Sequence, residues 1–208
     1  MTVAPRFNLF GEIGFENGAR LDDLTSFLAA NPGPVDVFIN SPGGVATEGA
    51  AMMAALERHG RAKVHVVGTA ASAASLAALG GQIVLMHHAA MMMIHEPSAG
   101  TWGTADDHRS GAEALDRMTA AYASSYARAT GQPVARIAAW MAAETWLTAA
   151  EAVELGFADR ITGTGEGEAV AAFDYSRFRA APQDLVQMAV SRGWAKRQAP
   201  EQEGKQDV

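Results

Sequence analysis

From residue 64 to residue 95 the chain carries no Asp, Glu, Lys or Arg. So long a run without charge must be kept from water, either in a membrane or in the middle of a protein core. Gly68, Ser72, Ser75, Gly80, Gly81, Gln82, His87 and His88 interrupt it, and its pattern changes along its length, which a membrane helix would not show. The run predicts a strand over residues 64–68, an Ala-rich helix over residues 72–79 stopped by Gly80-Gly81, and short strands over residues 83–86 and 91–94. A buried strand-helix-strand layer follows, and no association with a membrane is expected.

The flanks extend that layer. Residues 7–13 read as a first strand, and residues 21–30 as an amphipathic helix with Leu21, Leu24, Phe27 and Leu28 on one face, ended by Asn31-Pro32-Gly33-Pro34. Residues 35–40 set Val35, Val37 and Ile39 against Asp36, Phe38 and Asn40, the alternation of a strand, before Ser41-Pro42-Gly43-Gly44 forces a turn. A helix of small residues then runs to about His59. Repeated strand-then-helix order predicts an α/β fold with a largely parallel, buried sheet.

Beyond Pro97, a loop precedes a long helix predicted over residues 105–130, in which Leu115, Met118, Tyr122 and Tyr126 recur at helical spacing before Gly131. Pro133 suits the first turn of another helix, and Thr148-Ala149-Ala150-Glu151 has capping-box spacing for one ending at Gly156. Residues 162–168 alternate Gly with polar residues, as a connector does. The expected organisation is a domain over residues 1–161 and a linker with a C-terminal extension over residues 162–208, its polar end from Gln198 disordered.

With 208 residues, 49% of them hydrophobic, the chain can bury a sizeable core. Its net charge of -7 argues against a general nucleic-acid binder, and the nearest basic cluster, Arg192, Lys196 and Arg197, reads as a solvated helix end. The absence of Cys excludes disulfides, thiol nucleophiles and thiolate-bound zinc. Residues 1–8 hold no apolar run of signal-peptide length, so export is not expected and a cytoplasmic location fits.

Three short segments carry the chemistry: I-N-S-P-G-G at residues 39–44, G-T-A-A-S-A-A at residues 68–74, and M-M-I-H-E-P at residues 92–97. They supply two adjacent glycine amides, a serine just after a strand and a histidine just before a proline. A serine hydroxyl is a poor nucleophile until a base takes its proton, and imidazole suits that role near neutral pH. Oriented backbone amides stabilise the oxyanion that forms, and glycine lets a backbone approach that closely. These are the parts of an acyl-transfer site.

The same residues resemble the ClpP family of serine peptidases, especially its phage and prophage head maturation proteases, over residues 7–161. The resemblance implies a ClpP/crotonase-like fold with a long protruding handle helix. It implies Ser72 as nucleophile, His95 as base, and the amides of Gly44 and Ala73 as oxyanion donors. Glu144, in Glu144-Thr145-Trp146, stands where the best-known members have the aspartate of the triad; a glutamate can also orient an imidazole. Ala73-Ala74 replaces the Met-Gly or Met-Ala pair common after the nucleophile. The resemblance further implies a homo-oligomeric ring, heptameric or stacked, and a polypeptide substrate such as a capsid or scaffold protein. Dependence on a Clp ATPase stays open, and no cofactor is expected.

Blander readings compete. A serine before alanines can simply cap a helix. Ser75 is a rival nucleophile but falls one helical turn on, facing the core. His87 and His88 suit a turn or surface better than a metal site, and His59, His65 and His108 have no partner legible in the sequence. Asp106 and Asp107 fit a helix N-terminus, and Asp159 a turn after Gly156. A silent ring-forming scaffold, a Clp-type degradative peptidase and a crotonase-type acyl-CoA enzyme are the alternative functions.

Overall fold

The computed structural model describes residues 3–163 and 171–195. The chain divides into two units, residues 1–171 and 172–208. The predicted connector lies almost entirely outside the described residues, as does the tail from Gln198.

The first unit alternates strand and helix from its start. Strand β1 (Arg6–Phe10) leads to α1 (Leu21–Ala30), β2 (Val35–Ser41), α2 (Ala46–His59), β3 (Ala62–Ala71) and α3 (Ala73–Ala78). Then come β4 (Ile83–His87), β5 (Met91–Ile94), α4 (Ala105–Thr130), α5 (Val134–Ala143), β6 (Thr145–Thr148), α6 (Ala149–Glu154) and β7 (Arg160–Thr162). The sheet order is β1-β2-β3-β4-β7, all parallel, while β5 pairs with the far end of β3 and carries β6 antiparallel on its other side. Strand β3 is longer than expected at both ends, starting at Ala62 and continuing to Ala71, where Thr69, Ala70 and Ala71 pair with β5.

One face of the sheet is the core. Val35, Val37 and Ile39 of β2 and Val64 and Val66 of β3 are buried with Leu24, Leu28, Met52, Met53 and Leu56 from α1 and α2. Each such aliphatic side chain contributes about 1.5–3 kcal/mol by leaving water. The opposite face of β2 is only half-buried, which departs from a sheet buried on both sides and follows from the alternation of its sequence. There Asp36 pairs with His65 at 2.7 Å, Phe38 stacks on His65, and Arg6 lies over Phe38.

Helix boundaries follow local chemistry. Thr104 and Asp107 form a capping box at the start of α4, and Thr148 and Glu151 another at α6. Gly60 and Gly131 end α2 and α4 in the left-handed conformation. First-strand pairing stops at Phe10, and Ile13 forms a separate parallel bridge with Gly44. In the second unit a 3₁₀ turn (Tyr175–Arg177) packs Phe173, Tyr175 and Phe178 ring against ring, followed by helix α7 (Gln183–Ser191). No described helix is long and apolar enough to cross a membrane.

Candidate active site

Register brings the serine and histidine together. Strand β3 pairs in parallel with β5 through Thr69↔Met91, Ala70↔Met92 and Ala71↔Met93, so the residues just past the two strand ends, Ser72 and His95, emerge side by side. The Ser72 amide donates to the Met93 carbonyl at 2.9 Å, continuing the ladder by one bond. The Ser72 hydroxyl lies 2.8 Å from His95 Nε2, within the distance needed for direct proton transfer.

The chain turns sharply at Ser72, with φ 55° and ψ −125°. An L-residue rarely holds a positive φ, at a cost on the order of 1–3 kcal/mol, and surrounding contacts must maintain it. Those contacts are close ones: a Cβ added to Gly43 would stand 2.6 Å from the Ala71 carbonyl oxygen and 2.7 Å from Ser72 Cβ. Gly49 on α2 is as tight, with its added Cβ only 2.5 Å from the Ala73 carbonyl oxygen. Glycine at these positions lets the β2 turn and α2 reach the backbone of the serine.

The polar residues of I-N-S-P-G-G have separate structural tasks. Between Ile39↔Val66 and Ser41↔Ala70 the β2–β3 register shifts, because β3 contains extra residues there. Asn40 Oδ1 fills the gap by accepting the Thr69 amide at 3.0 Å. Ser41, fully buried, accepts the Gly43 amide on its Oγ at 3.1 Å. The bridge to Ile13 uses the Gly43 carbonyl and the Val45 amide, so the Gly44 amide between them points away from Ile13. Among the described residues, neither the Gly44 nor the Ala73 amide donates to a protein acceptor. The sequence put oxyanion donors at these two positions, and both amides remain available for that use.

Glu144 enters from the other side. Antiparallel pairing of β5 with β6 ends at Ile94↔Thr145, and one step further sets His95 across from Glu144. Glu144 is 7% exposed, terminates α5 in the left-handed conformation (φ 56°, ψ 77°), and accepts from Trp146 Nε1 at 3.5 Å. The residues competing for the third place lie elsewhere. Asp107 caps α4, its carboxyl held below the ordinary range by the Thr104 hydroxyl and then the Thr104 amide. Asp159 accepts the Val84 amide at 2.7 Å, tying β7 to β4.

A small cleft adjoins the serine, bordered by Ala46, Leu76, Pro97 and Tyr122 around Ser72 and His95. Apart from those two residues its walls are mostly apolar. Tyr126 also borders it, and reaches beneath Ser72: its hydroxyl lies 2.8 Å from Ser75 Oγ, which in turn donates to the Ser72 carbonyl at 2.7 Å. The sequence reading placed Tyr126 only in an apolar stripe and Ser75 only in the core. Ser75 is indeed fully buried, but nothing in helical periodicity reveals that the two hydroxyls meet. The histidines left without partners acquire them: His59 meets the Asn31 carbonyl, His65 Asp36, and His108 Thr101.

A family model described as Clp protease matches residues 23–165. The ATP-dependent Clp protease proteolytic subunit of Oltmannsiellopsis viridis is 37% identical over 131 residues, covering 60% of this chain and 66% of that protein. ATP-dependent Clp protease proteolytic subunit 3 of Rhodococcus jostii (strain RHA1) is 35% identical over 148 residues, covering 68% and 72%. The chain thus spans about two thirds of the length of these relatives. Among solved structures, a ClpP1 mutant from Listeria monocytogenes superposes with a TM-score of 0.68 over 76% of this chain and 91% of that one, at 24% identity. At that identity the likeness concerns the fold, an α/β arrangement with a mainly parallel sheet.

Proposed function

The chain belongs to the Clp protease family, and from that premise we propose that it is a serine endopeptidase acting through Ser72, His95 and Glu144. The observation that carries the proposal is the 2.8 Å separation of Ser72 Oγ and His95 Nε2 at the mouth of an apolar cleft. His95 takes the hydroxyl proton as Ser72 Oγ attacks the peptide carbonyl, and the Gly44 and Ala73 amides hold the oxyanion. The tetrahedral intermediate collapses as imidazolium returns the proton to the leaving amine. Water then attacks the acyl-enzyme by the same proton path, releasing the acid and restoring Ser72. Glu144 orients the imidazole and stabilises its cation.

A fluorophosphonate tests this directly. The protein should gain one adduct per chain, mapped to Ser72, and Ser72→Ala should gain none; undiminished labelling of that variant sinks the assignment. A silent scaffold would form its assembly without any adduct, and a crotonase-type enzyme would bind acyl-CoA thioesters instead.

The substrate is polypeptide, and the assembly a homo-oligomeric ring. The curated relatives are named as ATP-dependent proteolytic subunits, which supports a degradative role with a Clp ATPase. The resemblance of the three motifs to head maturation proteases supports the narrower role of trimming capsid or scaffold polypeptides. Degradation of an unfolded protein only when an ATPase and ATP are added favours the first role. Limited cleavage of a capsid precursor without nucleotide favours the second.

A further inference from the structure

The carbonyl of Ser72 is an unusually crowded acceptor. It receives the amides of Ser75 at 2.9 Å and Leu76 at 3.3 Å and the hydroxyl of Ser75 at 2.7 Å, with Tyr126 Oη a further 3.5 Å away. Each hydroxyl has one proton, and the two shortest contacts are both made when Tyr126 donates to Ser75 and Ser75 donates to Ser72; the reverse order would leave the Ser72 carbonyl only the 3.5 Å hydroxyl contact from Tyr126. Ser75 is fully buried and Tyr126 is 3% exposed. Burial pushes the Tyr126 phenol above its ordinary range, so it stays a donor at any working pH. In α4 only Ala123, Tyr126 and Ala127 are buried, making Tyr126 the one polar group that this helix sends into the core.

Alanine and phenylalanine would fill the same space without burying two hydroxyls, which is costly unless each is hydrogen-bonded. The hydroxyls converge on the one backbone carbonyl whose direction sets ψ of a residue in a disfavoured conformation. On the far side of the same residue, the amide of Ser72 is held by Met93. We propose that Ser75 and Tyr126 are positioning residues for acylation, a hydroxyl relay that holds the Ser72 carbonyl so that Oγ points at His95. Through this relay the seating of α4 governs how well the nucleophile is aimed. The inference rests on Ser72 being the nucleophile and deepens that reading, since it ties the reactivity of the site to a helix outside the three motifs.

The experiment follows fluorophosphonate acylation over time by intact mass, giving both a rate constant and a final labelled fraction, for the unmodified protein, Tyr126→Phe, Ser75→Ala and the double variant. Each single change should slow acylation roughly three- to tenfold, the worth of one hydrogen bond, with the final fraction unchanged. The double variant should be no slower than the slower single one, because one relay is lost either way. The pH midpoint of acylation should stay in place, since no proton of the reaction passes through the relay. Wild-type rates in both single variants would overturn the inference, as would independent, multiplying effects. A lower labelled fraction at an unchanged rate would show a merely structural role and overturn it too. Absence of labelling in the unmodified protein would instead refute the peptidase reading itself, and this inference with it. Should Ser75→Ala not fold, Tyr126→Phe decides alone, since it deletes one oxygen and keeps the ring against Phe157.

Discussion

Two non-glycine residues have a positive φ among those described, Ser72 and Glu144, and they sit just beyond the ends of the two strands, β3 and β6, that border β5. Neither conformation is one that local propensity selects, so the tertiary structure maintains both. Glu144→Gln keeps size and shape but removes the charge that, in the proposed mechanism, stabilises an imidazolium; kcat for a peptide substrate should then fall by orders of magnitude, up to about 10⁴-fold. Glu144→Asp, shorter by one methylene, should retain more activity than Glu144→Gln, and equal rates for the two would separate Glu144 from the reaction. At Gly43 steric and conformational costs add, since φ is 97° and the new Cβ meets backbone rather than a flexible side chain. Gly43→Ala should lower stability by about 2 kcal/mol or more, read as an earlier midpoint in urea, and should slow acylation in the fraction still folded.

Helices α2 and α6 show how far single elements obey local rules. Helix propensity alone would make Gly49→Ala stabilising by about 1 kcal/mol. The added methyl would stand 2.5 Å from the Ala73 carbonyl oxygen, forcing α2 from α3 and carrying the Ala73 amide with it. A lower thermal midpoint with a reduced kcat is the expected outcome; a higher midpoint would show that the contact is soft. In α6, Glu151 is held below the ordinary carboxylate range by the Thr148 amide and then the Thr148 hydroxyl. A carboxyl whose pKa is lowered by folding stabilises the protein above its unfolded pKa and loses that contribution as pH falls through the folded value. Thr148→Ala should therefore cost about 1 kcal/mol at pH 7, and the deficit should shrink as pH drops below about 4. A deficit that does not change with pH would mean that the Thr148 hydroxyl carries no charge-dependent part of the box, the Thr148 amide being kept in the variant.

At the scale of the whole molecule, α4 is buried along only part of its length. Its last turns join the core through Ala123, Tyr126 and Ala127, whereas Leu115, Met118 and Tyr122 further forward are only half-buried. If the proposed ring forms through this helix, those half-buried residues are the ones its subunit contact should cover. Leu115→Asp combined with Met118→Asp should reduce the mass of the assembly in light scattering while leaving far-UV circular dichroism unchanged. An unaltered assembly would place the subunit contact elsewhere. Acylation should also slow in that variant, because the seat of α4 reaches Ser72 through Tyr126.

Much of this protein is written locally. The alternation in residues 35–40 gave β2 its buried face, Leu21, Leu24, Phe27 and Leu28 placed α1 at Leu21–Ala30, and Thr148 and Glu151 capped α6 where expected. These features depend on side-chain period and on hydrogen bonds between residues three or four apart, which one segment encodes by itself. The pairing of Ser72 with His95 as candidates was equally legible from residue types in motifs. Their separation of 2.8 Å was not, because it comes from pairing Ala71 with Met93, and register belongs to two segments jointly. Nor could the sequence show that Asn40 bridges a register shift, that Gly43 and Gly49 admit neighbouring backbone, or that Tyr126 finds Ser75. Such contacts join positions far apart in the chain, and they form only when packing of the core has fixed which surfaces meet.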